Sequence, residues 1–320
     1  MQAVGVLAAA PLCYGRATMS TEASDPTPAP IVAVPADLPA AVAAVLMTTP
    51  EDVDPGERTV TPAAGIPFSS ISWGDPSGRP LILIHGVTAS ARIWWHVGPA
   101  LAASGRHVLA VDLPGHGLTG HWAGHYRFRD NAADVAAWIR AAGLATSEVQ
   151  IVGHSWGAMT AAALPVSGIR PATLVLLDPP AVPHAVMSVM ASDPSELRYR
   201  DLETAIATVT AQNPSWSPED VLAKAEALMQ VDEAAARAVL LDNGDWDGGL
   251  ADIWDPAAAG VRIWVVRGEE ATGSLLPDAM IPAFAARIGA SHILTLTGAP
   301  HAPQRTHLAA TILALLRALA

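Results

Sequence analysis

The 320-residue chain is 51% hydrophobic and 15% charged, a composition that excludes a disordered or nucleic-acid-tail polypeptide and provides for a large buried core. With 18 basic against 30 acidic side chains its net charge is −12, which opposes binding to nucleic acid and gives no membrane-surface signal. A single cysteine, Cys13, excludes an intrachain disulfide and suggests no thiolate metal cluster.

The apolar start, Met1 to Ala10, is too short to span a bilayer and has no positive residue before it, so no export signal and no membrane span is expected. The expected location is the cytoplasm, with Met19 a candidate initiator. Five prolines between Pro26 and Pro39 rule out a continuous helix or a central strand. Residues 1–50 therefore read as an N-terminal extension or linker, partly disordered. Two β-prone runs, Glu57 to Thr61 and Ile66 to Trp73, flank Pro62-Ala63-Ala64-Gly65 and predict a hairpin.

From Arg79 short apolar runs alternate with helical patterns. Leu81 to Ile84 is uniformly apolar, which predicts a strand covered on both faces, ending at His85-Gly86. Further strands are predicted at His107–Val111, ending in Asp112-Leu113-Pro114-Gly115-His116-Gly117, at Val149–Val152, and at Ala172–Leu177, ending at Asp178. Helices are predicted up to Ser104 and over Phe128–Ala142. Strands separated by helices predict a parallel sheet with ligands at the strands' carboxyl ends.

The alternation breaks over residues 182–255, where helical patterns at Glu203–Thr210, Pro218–Met229 and Asp232–Leu241 predict an inserted helical cap over the site. It resumes with a strand at Val261–Val266, a helix at about Pro277–Gly289, a strand at His292–Thr297 and a last helix from Arg305. The core is thus expected over 51–181 and 256–320.

The stretch Gly153-His154-Ser155-Trp156-Gly157 lies between a β-branched run and an alanine-rich helical pattern. A serine on a strand-to-helix turn projects its hydroxyl above the sheet and needs small residues two before and two after it. The next N–H, that of Trp156, starts the helix and points at any anion forming beside the serine. A serine hydroxyl needs a base to attack a carbonyl at neutral pH. Of 11 histidines, His301 follows the last strand on the same side of the sheet as Ser155.

His85-Gly86, Asp112 to Gly117, Gly153 to Gly157 and Gly298-x-x-His301, in this order, resemble the α/β-hydrolase fold superfamily, in its serine-hydrolase branch with a helical cap. The resemblance implies an α/β fold with a mostly parallel eight-stranded sheet, Ser155 as nucleophile and His301 as base. It implies an oxyanion hole from the N–H groups of Val87 and Trp156. In related dehalogenases and epoxide hydrolases an aspartate is the nucleophile, so serine here disfavours those chemistries. The family's usual acid, three residues after the glycine that ends the seventh strand, is replaced by Ala271 in Gly268-Glu269-Glu270-Ala271. Asp178, on a rigid strand end, is the favoured acid and Glu270 the alternative.

Trp94, Trp95, Met159 and Trp216 are candidates for an apolar pocket, and apart from Arg267 no basic residue stands at a strand end. The expected activity is hydrolysis of a small or medium, mostly apolar carboxylic ester or lactone through an acyl-serine, with no metal or other cofactor. The alternatives are carbon–carbon bond hydrolysis or perhydrolysis on the same residues, and a slow-turnover receptor-like binder.

Overall fold

The computed structural model describes residues 37–122 and 124–320. The expectations for the apolar start, Cys13, Met19 and most of the proline-rich segment lie outside the described residues.

Eight strands form one sheet: β1 (Glu57–Ala63), β2 (Ile66–Trp73), β3 (Arg79–Ile84), β4 (Arg106–Val111), β5 (Gln150–His154), β6 (Thr173–Leu177), β7 (Arg262–Arg267) and β8 (Ile293–Thr295). Their order is β1-β2-β4-β3-β5-β6-β7-β8. The β1–β2 and β2–β4 pairs are antiparallel and all others parallel. The predicted hairpin forms with Glu57 opposite Ser72 and Ala63 opposite Ile66.

Successive side chains of a strand point to opposite faces, so an all-apolar strand needs cover on both. Ile82 and Ile84 join Ile151, Leu174, Leu176 and Val265 in one core under α3 (Phe128–Ala141) and α4 (Trp156–Ala162). Leu81 and Leu83 join Val152, Val175, Leu177 and Val266 in a second core under α2 (Val97–Ala102) and the C-terminal helix. A helix before the hairpin, α1 (Ala40–Leu46), buries Val42 against Ala100 and Ile312, so residues 40–46 of the expected extension are docked on the core.

Between β6 and β7 lie α5 (His184–Met190), a 3₁₀ turn at Pro194–Glu196, α6 (Leu202–Gln212), α7 (Pro218–Gln230), α8 (Glu233–Leu241) and α9 (Leu250–Ile253). Ser217 caps α7, accepting from the Asp220 N–H, with Pro218 at its first position. Asp201 and Asp232 cap α6 and α8.

Three boundaries differ from expectation. After β7, α10 (Ile281–Ile288) starts later than Pro277, because Pro282 has no N–H to give and fits only a first turn. β8 is three residues long, since after a last bond from the Leu296 N–H to Arg267 O the chain enters a turn in which the Ala299 N–H donates to Leu296 O. The last helix is two, α11 (Pro303–Thr306) and α12 (Leu308–Leu319), parted at His307. Among the described residues no helix is long and apolar enough to cross a membrane.

Candidate active site

Ser155 stands at the turn between β5 and α4 with φ +56° and ψ −126°, a conformation that side chains rarely adopt. Its surroundings enforce it. A Cβ on Gly153 would lie 2.2 Å from Gly157 O, and one on Gly157 would lie 2.4 Å from the carbonyl oxygens of both Ile84 and His85. Bare glycine lets β5, α4 and β3 approach this closely, and the Ser155 N–H donates to Leu177 O at 3.0 Å on the next strand. Gly157→Ala is expected to lower unfolding free energy by about 2–4 kcal/mol, because only backbone could give way. Urea denaturation of the purified variant measures it.

The Ser155 Oγ lies 2.9 Å from His301 Nε2, and His301 Nδ1 lies 2.6 Å from Asp178 Oδ2. A carboxylate only accepts, so Nδ1 carries a proton toward Asp178, and in that tautomer Nε2 is left to accept from the serine hydroxyl. Asp178 follows β6 with φ +44°, and its N–H donates to Val266 O at 2.7 Å. Its carboxylate is fully buried, and it also accepts from Gly268 N–H, Ser274 Oγ and Leu275 N–H. Burial alone would raise its pKa; the His301 hydrogen bond and charge, with the Ser274 and Leu275 donors, outweigh it and hold the carboxyl below its ordinary range.

The alternative acid is not brought to His301. Glu270 is exposed and its carboxylate accepts from the Asp278 N–H at 2.7 Å, while Glu269 accepts from the Gly298 N–H at 3.0 Å. Both carboxylates close the loops around β7 and β8 instead.

The segment after β3 lies against the serine. A Cβ on Gly86 would be 2.9 Å from Ser155 Cβ and 3.3 Å from its Oγ. His85 orients this segment: its Nδ1–H donates to Gly86 O at 2.7 Å, and its Nε2 accepts from the Leu113 N–H at 2.9 Å. Gly86 O and the Val87 N–H are opposite ends of one planar trans peptide, so holding the oxygen fixes the direction of the N–H. Trp156 N–H is the first of α4 and has no partner within the helix. Burial keeps His85 neutral, its pKa lowered to about 4.

His154 is also buried, and desolvation with the neighbouring His301 lowers its pKa to about 3. Its Nε2–H therefore donates to His301 O at 2.8 Å, and the two rings pack 5.0 Å apart. The side chain leaves the turn toward His301, where it supports the histidine's backbone.

The four side chains expected to line an apolar pocket lie in different surroundings. Trp94 is fully buried in the core on the α2 side of the sheet, and Met159 is buried in the core on the α4 side. Burial of such large apolar groups is core packing. Trp95 and Trp216 are half-buried and engage charges: Trp95 Nε1 donates to Asp220 Oδ1 at 3.0 Å, and the Arg305 guanidinium lies 4.0 Å from the Trp216 ring centre. Arg267, the basic residue at a strand end, is buried and paired with Asp278.

Sequence reasoning missed a polar cluster where the insertion meets this region. Lys224 of α7, 9% exposed, donates from Nζ to Thr88 Oγ1 at 2.7 Å, Thr88 O at 3.3 Å and Glu196 Oε2 at 2.7 Å. Thr88 Oγ1 in turn donates to Glu196 Oε2 at 2.8 Å. One signal was available: Lys224 is the chain's 1 lysine beside 17 arginines. Among the described residues no group of three or more His, Cys, Asp or Glu side chains is placed to hold a metal ion.

A family model described as the alpha/beta hydrolase fold matches residues 79–224. Epoxide hydrolase A of Mycobacterium tuberculosis is 33% identical over 134 residues, covering 41% of this chain and 41% of that protein. Phospholipase YtpA of Bacillus subtilis is 35% identical over 94 residues, 28% of this chain and 36% of that protein. The chain thus spans well under half the length of these relatives. The solved structure of E-2-(acetamidomethylene)succinate hydrolase superposes with a TM-score of 0.70 at 19% identity, covering 82% of this chain and 98% of that one.

Proposed function

We propose that this chain, which has the α/β-hydrolase fold, is a serine hydrolase that cleaves a small or medium carboxylic ester or lactone through an acyl-Ser155 intermediate. The observation that carries the reading is the unbroken relay from Asp178 Oδ2 to His301 Nδ1 at 2.6 Å and from His301 Nε2 to Ser155 Oγ at 2.9 Å. Serine in the turn favours acyl transfer over the epoxide opening named for one relative, because a hydroxyl activated by a neutral imidazole attacks carbonyl carbon. Chain 182–255 is read as the cap that closes over the site, a reading supported by the 6% exposure of Ser155 and by the bonds of Lys224 and Glu196 to Thr88.

In the first step Ser155 Oγ bonds to the carbonyl carbon and its proton passes to His301 Nε2. The carbonyl oxygen becomes an oxyanion facing the N–H groups of Val87 and Trp156, donors whose removal in such sites costs about 3 kcal/mol each. Asp178 stabilises the imidazolium that forms. Nε2 then gives its proton to the departing alkoxide. A water loses a proton to the same nitrogen as its oxygen attacks the acyl carbon, and the tetrahedral adduct collapses to a carboxylic acid as Nε2 returns that proton to the departing Ser155 Oγ. No step consumes a cofactor.

The test is a fluorophosphonate probe followed by mass spectrometry of the labelled peptide. We expect label on Ser155, with the labelling rate reduced at least about a thousandfold in His301→Ala. Folded protein that takes no label, or takes it on another residue, overturns the reading.

A further inference from the structure

We infer that Lys224 and Glu196 are positioning residues for the oxyanion site, locking the loop that presents the Val87 N–H when the inserted helices are seated on the core. This rests on reading Ser155 as nucleophile and Val87 as an oxyanion donor. The loop in question is short, Gly86 to Thr88. Its near end is fixed by His85 holding Gly86 O and by Gly86 lying against Ser155. Its far end is Thr88, and Val87 lies between the two.

Thr88 has φ +53°, a conformation unfavourable for a β-branched residue that persists only where its surroundings over-determine it. The side chains that hold its hydroxyl and its carbonyl both belong to the insertion. Lys224 of α7 grips both the carbonyl and the hydroxyl of Thr88, and Glu196, on the 3₁₀ turn before α6, takes the hydroxyl's hydrogen. The hydroxyl donates its one hydrogen to Glu196 and accepts from Lys224, and the ammonium is paired with that carboxylate at 2.7 Å. A second tie runs from the same face of α7: Asp220, one turn before Lys224, accepts from Trp95 of the core.

A buried ion pair is weak evidence for stability, because apolar side chains of the same volume often serve as well. Its distinctive property is a single geometry with directional bonds, here delivered to one loop. Lifting the insertion, with α7 and the Pro194–Glu196 turn together, removes both partners of Thr88 and leaves its strained backbone without them. The insertion therefore acts on catalysis through the loop as well as by covering the substrate.

The experiment measures the rate of Ser155 phosphonylation by a fluorophosphonate from pH 6 to 9, since the attacked phosphoryl group also develops negative charge on oxygen. Lys224→Met and Thr88→Val are each expected to slow labelling about ten- to hundredfold without moving the pH midpoint, as displacement of a donor by a fraction of an ångström to 1 Å does. The double variant is expected to be no slower than the slower single one, because both break the same link. Thr88→Ser, which restores the hydroxyl, is expected to recover most of the loss. Thermal melting of each variant shows that the protein is folded; a merely structural role would shift melting and leave the labelling rate of folded protein unchanged. Wild-type rates in both single variants, or additive losses in the double, overturn this inference and leave Ser155 as nucleophile. No label on Ser155 in the wild-type protein overturns the nucleophile reading and this inference with it.

Discussion

Replacing Asp178 by asparagine is expected to lower ester turnover about 10⁴-fold, whereas Glu270→Gln is expected to change it by less than about threefold. The carboxylate accepts the His301 Nδ1 proton, which keeps the Nε2 lone pair facing Ser155 Oγ. An amide nitrogen at that place donates to Nδ1, drives the proton to Nε2, and leaves the serine without a base. The amide cannot escape by turning over, because Oδ1 accepts from Gly268 N–H and Ser274 Oγ while Oδ2 accepts from Leu275 N–H. Either orientation sets an NH₂ against a donor, at about 1–3 kcal/mol of stability. Steady-state kinetics on a p-nitrophenyl ester, with urea denaturation alongside, separates the two effects. Collapse of activity in Glu270→Gln alone would move the acid to the β7 loop.

Stability is expected to fall as the pH drops from about 6.5 toward 4, by up to about 4 kcal/mol per pH unit from three histidines, an amount partly offset by Asp134, whose carboxyl is raised to about 6 by burial and so is protonated first in the folded state. Three histidines carry this expectation: His85, lowered to about 4, and His116 and His154, each lowered to about 3, all chiefly by desolvation. In the unfolded chain each takes up a proton near pH 6.5. In the folded protein each stays neutral well below that. The unfolded state therefore binds more protons across this window, and the stability present above pH 6.5 is lost as the pH falls. His96 and His107, also lowered by burial, act with the same sign. Asp178, held below its ordinary value, adds its own loss only below about pH 3.8. Urea denaturation at pH 7.5, 6.0 and 5.0 measures the slope, and His116→Gln should remove about a third of it. A flat profile between pH 7 and 5 would show that these imidazoles reach solvent. The three surround the Ser155 turn: His116 packs 5.0 Å from the Trp156 ring and 5.5 Å from His85, and His154 packs against His301. Acid therefore strikes first at the groups that shape the site.

The sheet was legible because apolar runs such as Leu81 to Ile84 admit only a strand covered on both faces, and because Gly153 and Gly157 mark a close approach of three backbones. Asp178 could be singled out from its place at a strand end, where the loss of aspartate at position 271 left few carboxylates within reach of His301. The pocket was not legible. Trp94 and Trp95 are adjacent and chemically identical, yet one is core and the other bonds to Asp220 across 125 positions of sequence. Which of them meets the insertion depends on how α7 docks, and no local pattern carries that. The same holds for Thr88, whose partners lie 108 and 136 residues away. His85 and His154 were visible as motif letters, but their bonds to Gly86 O and His301 O needed the folded turn.

Because Lys224 is the chain's 1 lysine and is almost wholly covered, the seated protein offers amine-directed reagents no accessible lysine side chain. Acylation or reductive methylation at that position waits on the lifting of α7, so its rate counts openings of the insertion. Lysine labelled with a heavy isotope yields one side-chain resonance for the entire molecule, and that resonance reports the seating of the insertion. A composition with arginine nearly everywhere else has made a single ammonium group into a built-in gauge of how often α7 parts from Thr88.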